Sequence, residues 1–209
     1  MIDFNQILDT KDMPLDAFKD KVLNCTTCEL CKTRTNVVFG HGPIPCNLMI
    51  IGEGPGEQED LSGKPFVGRA GKLLTKILEA VGINRETDAF IANTVKCRPP
   101  ENRTPELTEI EACKPFLIQQ IQLVKPKVLI LLGSPALKTI LEEKVPITKV
   151  RGNWYTADVD YMDEPLYIMP LFHPSYLLRN SSNEKGKPKW LTWQDMKEVK
   201  NALDFYQPA

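Results

Sequence analysis

Apolar residues fall into two alternating patterns along the chain. Four short continuous runs, in "NLMIIGEGPG", "AFIANTVKC", "VLILLGSPA" and "LYIMPLFHPS", each end on a turn signal and are followed by a segment with helical spacing. A short apolar run bounded by glycine or proline reads as a buried strand, and strands alternating with helices read as a mainly parallel sheet. Between the first two runs, "GRAGKLLTKILEAVG" carries Leu73, Leu74, Ile77, Leu78 and Val81 at helical spacing and stops at Gly82. Thr104-Pro105 opens a second helix through Ile110, Cys113 and Leu117, and Ser134-Pro135 opens a third, with serine as the cap and proline in the first turn. Thr192 with Asp195 three residues on predicts a capping pair for the last helix, "WQDMKEVKNALDFY". The polar stretch "RNSSNEKGKPK" at 179–189 reads as a surface loop. The pattern predicts an α/β fold, with a central, mainly parallel four-stranded sheet flanked by helices. One domain spans 1–209, and an N-terminal helical segment over 1–46 packs on it.

In open α/β sheets ligands bind beyond the carboxyl ends of the strands. Three of the four predicted ends carry residues able to do chemistry: Glu53, Asn93 and His173. "GEGPGEQED" sets Gly52, Gly54 and Gly56 after a strand, but Glu57 stands where a dinucleotide fingerprint needs glycine, and no Gly-Lys-Ser/Thr follows. Glu53, Glu57, Glu59 and Asp60 would also repel a phosphate. Two readings remain: a tight turn with solvated acids, or a backbone-lined pocket floor with one carboxylate facing a developing cation or a water. Phe66, in "GKPFVGRAG", is either core or a platform for a nucleobase. Asn93 is either a turn former or a reader that presents donor and acceptor together. His173 is held on extended backbone by Pro174, and its structural and functional readings balance. Leu177, Leu178 and Arg179 form an apolar tip beside a cation, suited to wedging into a base stack.

Composition narrows the class. With 42% apolar and 25% charged residues over 209 positions, the chain is an ordinary globule, and disorder is excluded. The acidic start "MIDFNQILDTKDM" carries no signal peptide pattern, and no 18-residue apolar stretch exists, so a cytosolic protein without a membrane partner is expected. A net charge of -1 argues against an overall basic nucleic-acid binder, yet His173 to Lys200 holds six Lys/Arg against three acids, which leaves a local basic face. In a reducing compartment the six cysteines are metal ligands or buried small hydrophobes rather than disulfides. "CTTCELC" starts like a ferredoxin run, but Cys46 lies fifteen residues past Cys31. Cys97 follows Asn93 by four residues and Cys113 comes sixteen later, inside a predicted helix. A helix that returns Cys113 beside Cys97 could close a four-thiolate site with two N-terminal cysteines and brace the "NTVKC" loop.

From about residue 20 to about residue 205, the motifs "GEGPGEQED", "GKPFVGRAGKLL", "NTVKCRPPENRTP", "ITKVRGNWY" and "FHPSYLLRN", in that order, resemble those of the family 4 uracil-DNA glycosylases, the iron-sulfur type of bacteria and archaea. The resemblance implies a uracil-DNA glycosylase-like fold with a [4Fe–4S] cluster at one side, on Cys25, Cys28, Cys97 and Cys113, and leaves Cys31 and Cys46 as ordinary side chains. It implies that Phe66 stacks on a flipped uracil, Asn93 reads its polar edge, His173 donates to O2, and the Gly54 region supplies backbone contacts. The commonest uracil-DNA glycosylase family has an aspartate where this chain has Gly54. Glu53 is then the nearest candidate to activate water, and Glu59 a candidate wall against the thymine methyl. The implied activity is that of a monofunctional glycosylase, monomeric, acting on uracil-containing DNA, single- or double-stranded, to leave an abasic site in base excision repair. A relative with altered substrate choice or covalent uracil capture is the rival within the superfamily, but the added basic loop before the histidine motif is absent. A noncatalytic cluster- or zinc-bearing DNA-binding module would keep the cysteines without needing Asn93 and His173 at strand ends. A nicotinamide oxidoreductase is disfavoured by Glu57.

Overall fold

A computed structural model describes residues 1–6, 8, 10 and 12–205. Five strands, β1 (Leu48–Gly52), β2 (Phe90–Asn93), β3 (Val128–Leu132), β4 (Tyr155–Ala157) and β5 (Leu166–Leu171), form one sheet in the order β2-β1-β3-β5-β4. β1, β2, β3 and β5 run parallel, and β4 closes one edge antiparallel to β5. The expected four strands are therefore joined by a fifth. β4 has only three residues, none of them fully buried, so it leaves no apolar run in the sequence.

Among the described residues eight α-helices accompany the sheet: α1 (Leu15–Leu23), α2 (Glu57–Ser62), α3 (Arg69–Glu79), α4 (Leu107–Val124), α5 (Gly133–Leu141), α6 (Ile147–Val150), α7 (Pro174–Arg179) and α8 (Pro188–Phe205). Successive strand side chains point to opposite faces, and here both faces are covered. Met49, Ile51, Leu129, Leu131 and Ile168 pack with Phe18 and Val22 of α1, Leu117 and Ile121 of α4, and Leu137 of α5. Leu48, Ile50, Val128, Ile130 and Met169 pack with Leu74 and Leu78 of α3 and Met196 and Val199 of α8. Burial on both sides explains why the central strands read as continuous apolar runs rather than alternating ones.

Two expected caps are not formed. α5 starts at Gly133, so Ser134 lies within its first turn. α8 starts at Pro188, which puts Thr192 and Asp195 inside the helix. The Thr192 hydroxyl donates to the Pro188 carbonyl at 2.9 Å, and Asp195 takes a bidentate pair from Arg151, whose Nε is 2.7 Å from Oδ2. A distant guanidinium outcompetes a local cap because the ion pair is largely buried and charge-assisted. The expected end of this helix at residue 206 lies outside the described residues. The polar stretch 179–189 shrinks to an exposed loop between α7 and α8. Among the described residues no helix is long and apolar enough to cross a membrane.

Candidate functional site

β1 and β2 end level with one another, since Gly52 pairs with Asn93 and the Thr94 N–H donates to the Gly52 carbonyl at 2.9 Å. A Cβ on Gly52 would stand 2.5 Å from Asn93 Oδ1 and 2.5 Å from Phe66 Cζ. Only glycine fits there, because its side-chain space is shared by the asparagine amide and the phenylalanine ring. Asn93 is 1% exposed, and its Oδ1 is buried without a hydrogen-bond partner. Such a buried acceptor at a strand end is a standing demand for a donor.

Phe66 is buried with φ 53°, a left-handed conformation that costs a non-glycine residue free energy and persists only where its surroundings enforce it. Here they do so from both sides. Arg85 Nη1 donates to the Phe66 carbonyl at 2.8 Å and to Thr75 Oγ1 at 2.9 Å, while Nη2 donates to the Pro65 carbonyl at 3.0 Å. Glu59 Oε1 accepts from the Val67 and Gly68 N–H groups, both at 2.8 Å, and Oε2 accepts from Gly56 N–H at 3.1 Å. Gly71 in α3 completes the seat, since a Cβ there would overlap the Phe66 carbonyl. A cation on the carbonyls and an anion on the amides thus fix the loop. Glu59 has both oxygens committed to backbone amides, so it holds in place the loop that carries Phe66.

The Phe66 ring lies 5.8 Å from the His173 ring, centroid to centroid. His173 leaves β5 on extended backbone and caps α7: its Nδ1 accepts from Ser175 N–H at 3.1 Å and lies 2.8 Å from Ser175 Oγ. With Nδ1 accepting, the neutral ring carries its proton on Nε2. Burial pushes the His173 pKa down to about 4, with Arg179 acting in the same direction and Glu59 against it, so the ring is neutral at physiological pH. Gly133, at φ +84°, lets the end of β3 pass beneath it, where a Cβ would sit 3.0 Å from the His173 Cβ.

Glu53 follows Gly52 directly. Burial raises its carboxyl pKa, and a hydrogen bond from Thr104 pulls the other way. Its backbone is pinned by Thr94 Oγ1 at 2.5 Å and Val95 N–H at 3.3 Å. At Gly54 a Cβ would come 2.9 Å from a Val95 methyl. The expected DNA tip is smaller than the sequence suggests. Leu177 is 1% exposed, turned into the core by the short helix α7, and only Leu178 and Arg179 reach solvent.

A separate cavity of about 20 Å³ is lined by Cys25, Cys28, Cys31, Cys97 and Cys113 together with Arg34 and Lys96. The four cysteines that the resemblance implies are therefore brought together, with Cys31 as a fifth, its Sγ 3.9 Å from the Thr26 carbonyl. Cys46 is buried in the core beneath β1 and takes no part. Arg34 Nη1 donates to Cys97 Sγ at 3.2 Å. Burial pushes the Cys113 thiol up to about 12 against the pull of Lys96. Among the described residues, no three Cys, His, Asp or Glu side chains converge on the position of one ion. An all-sulfur donor set flanked by two cations suits an anionic iron–sulfur group better than a single hard cation. Arg34, Arg85 and Ser175 had no local signal in the sequence. Lys96 did: it sits between Asn93 and Cys97.

The chain matches the family model described as the uracil DNA glycosylase superfamily over residues 39–197. It is similar to the type-4 uracil-DNA glycosylase of Thermotoga maritima, 46% identical over 195 residues that cover 93% of this chain and 97% of that protein. It is also similar to the type-4 enzymes of Saccharolobus solfataricus, 43% identical with 90% of this chain and 86% of the other covered, and of Sulfurisphaera tokodaii, 43% identical with 82% and 79% covered.

Proposed function

The chain belongs to the uracil-DNA glycosylase superfamily, in its type-4 group, and excises uracil from DNA in base excision repair; from that premise we propose that the strand-end pocket hydrolyses the N-glycosidic bond of deoxyuridine. The observation that carries the assignment is the buried, unpartnered Oδ1 of Asn93 beside Phe66. A lost partner for a buried polar atom costs about 1–3 kcal/mol, and the N3–H of uracil supplies one while the asparagine amide donates to O4. The base must leave the duplex to get there, and Phe66 then stacks on it.

Cleavage breaks C1′–N1, sends the bonding pair to uracil and leaves positive charge on the sugar. His173, neutral and with its proton on Nε2, donates to O2 as that oxygen becomes anionic, where a hydrogen bond gains strength in the transition state. Glu53 faces the opposite change, a carboxylate beside the developing cation and the incoming water. Gly54 lets backbone approach the base, while Leu178 and Arg179 engage the DNA. The products are free uracil and an abasic site, so the enzyme is a monofunctional glycosylase. It acts as a monomeric single domain over 1–209, in the cytoplasm.

Cys25, Cys28, Cys97 and Cys113 hold a [4Fe–4S] cluster, with Cys31 at the rim. The fit rests on the five thiols gathered around the cavity and the two cations beside them. When bound, the cluster supplies a covalent tie between the N-terminal segment, the loop after β2 and α4; glycoside hydrolysis moves no electron through it.

The experiment is incubation with a uracil-containing oligonucleotide, then alkali. Free uracil and scission only after alkali are expected, with none from thymine or cytosine controls. Binding without alkali-labile sites would make the protein a DNA-binding module, and scission before alkali would make it a lyase.

A further inference from the structure

Lys96 is 1% exposed, among the most deeply buried side chains of the molecule. Its Nζ donates to the Asn93 carbonyl at 2.7 Å, and among the described residues that oxygen is its one hydrogen-bond acceptor. Lys96 also lines the cavity with Cys97 and Cys113. Its own backbone is pinned, since the Lys96 carbonyl accepts from Val38 N–H at 2.8 Å. A buried ammonium is strongly unfavourable unless negative charge meets it. The charged or titratable neighbours that act on it are the thiols of Cys113 and Cys97, with no carboxylate among them. Four thiolates around a cubane core leave a dianion. Lys96 and Arg34, the latter 3.2 Å from Cys97 Sγ, both line the cavity and supply two cations to match it.

We propose that Lys96 is a positioning residue that couples the cysteine cavity to the uracil pocket: its ammonium is held by the anionic group in the cavity and, through the Asn93 carbonyl, fixes the end of β2 from which the asparagine amide reads the base. This rests on the reading of that cavity as a [4Fe–4S] site. It gives the cluster a consequence for catalysis without any electron transfer. An asparagine discriminates by orientation, and small displacements of a reacting or recognising group are costly, about a hundredfold in rate for a misplacement near 1 Å. Lys96 thus both lines the cysteine cavity and bonds the backbone of the base reader.

The test uses Lys96→Met, which keeps length and apolar bulk but removes the charge, and Lys96→Arg, which restores it. Iron and sulfide content, the midpoint potential of the cluster and single-turnover excision are measured for each, with the Lys96→Met change repeated in an Asn93→Ala background. Lys96→Met is expected to hold a cluster that is harder to reduce, because a neighbouring cation has gone, and to excise uracil roughly ten- to a hundredfold more slowly. In the Asn93→Ala background the same change should cost little, and Lys96→Arg should return the potential towards wild type. Wild-type rate in an iron-replete Lys96→Met protein, or an equal loss in both backgrounds, overturns the coupling. If Lys96→Met loses its iron, recovery of iron in Lys96→Arg supports the counter-charge, and loss in both overturns it. Wild-type protein free of iron and sulfide overturns the cluster reading first and this inference with it, whereas iron-replete wild type with an unaffected variant overturns this inference alone.

Discussion

Replacing His173 with glutamine removes one titration from the protein and leaves a neutral donor in its place, so the pH dependence of the difference between the two proteins isolates the buried imidazole. The ring's pKa falls from 6.5 to about 4 on folding, chiefly through burial, then through Arg179, with Glu59 opposing. The unfolded chain therefore takes up the proton first. The contribution of the neutral ring is fully present above pH 6.5 and is lost as pH falls from there towards 4. Each pKa unit is worth about 1.4 kcal/mol, so wild type should lose about 3 kcal/mol more than His173→Gln by the acid end of that window. About 1.4 kcal/mol of this should already be lost by pH 5.5. Carboxylates such as Glu53 titrate in both proteins and cancel. Denaturant unfolding at pH 7.5, 5.5 and 4.5, extrapolated to zero denaturant, measures the difference. Single-turnover excision by wild type should show no acid limb at pH 6.5. Parallel stability curves, or a rate that halves near pH 6.5, would refute a buried neutral donor.

Two further outcomes are expected. Asn93→Asp loses the donor for uracil O4 but can accept from a cytosine amino group. Paired oligonucleotide assays should show uracil excision slowed by about a hundredfold or more, at about 1–3 kcal/mol per mismatched polar contact, and a narrowed uracil-to-cytosine ratio. Arg85→Met removes the charged donors that hold the Pro65 and Phe66 carbonyls, bonds worth about 1.5–3 kcal/mol each; binding of free uracil, followed by calorimetry, should weaken in the wild-type background and change little in Phe66→Ala.

What the sequence revealed and what it hid divide along a physical line. The four buried strands and the ends that carry Glu53, Asn93 and His173 were legible because continuous apolar runs followed by glycine or proline are local signals. β4 was not, because a three-residue edge strand takes its conformation from the neighbour it pairs with. Leu177 was misread for a related reason. The motif announces an apolar tip, but only the turn of α7 decides that residue 177 faces inward and residue 178 outward. The sequence predicts a cap at Asp195, but that residue answers to Arg151, a partner that chain order does not announce, just as it does not announce the Gly56, Val67 and Gly68 amides that Glu59 holds. The cysteine grouping was half-visible. Spacing and resemblance pointed to four, and the fold alone brought Cys31 and two cations to the same cavity.

Gly52 sets a limit on what this scaffold can become. The floor of the pocket is already the smallest residue that the genetic code offers, and the space above it is shared between the asparagine amide and the phenylalanine ring. Any side chain at that position would push the asparagine amide and the phenylalanine ring out of place. Acceptance of a larger base, such as a deaminated purine, must therefore come from moving or shrinking Phe66, whose backbone is fastened by Arg85 and Glu59. Broadening of substrate range is then a change in a loop rather than in the sheet. A variant library confined to residues 59–71 and Arg85 would sample most of it, while strand positions would mostly yield narrower enzymes.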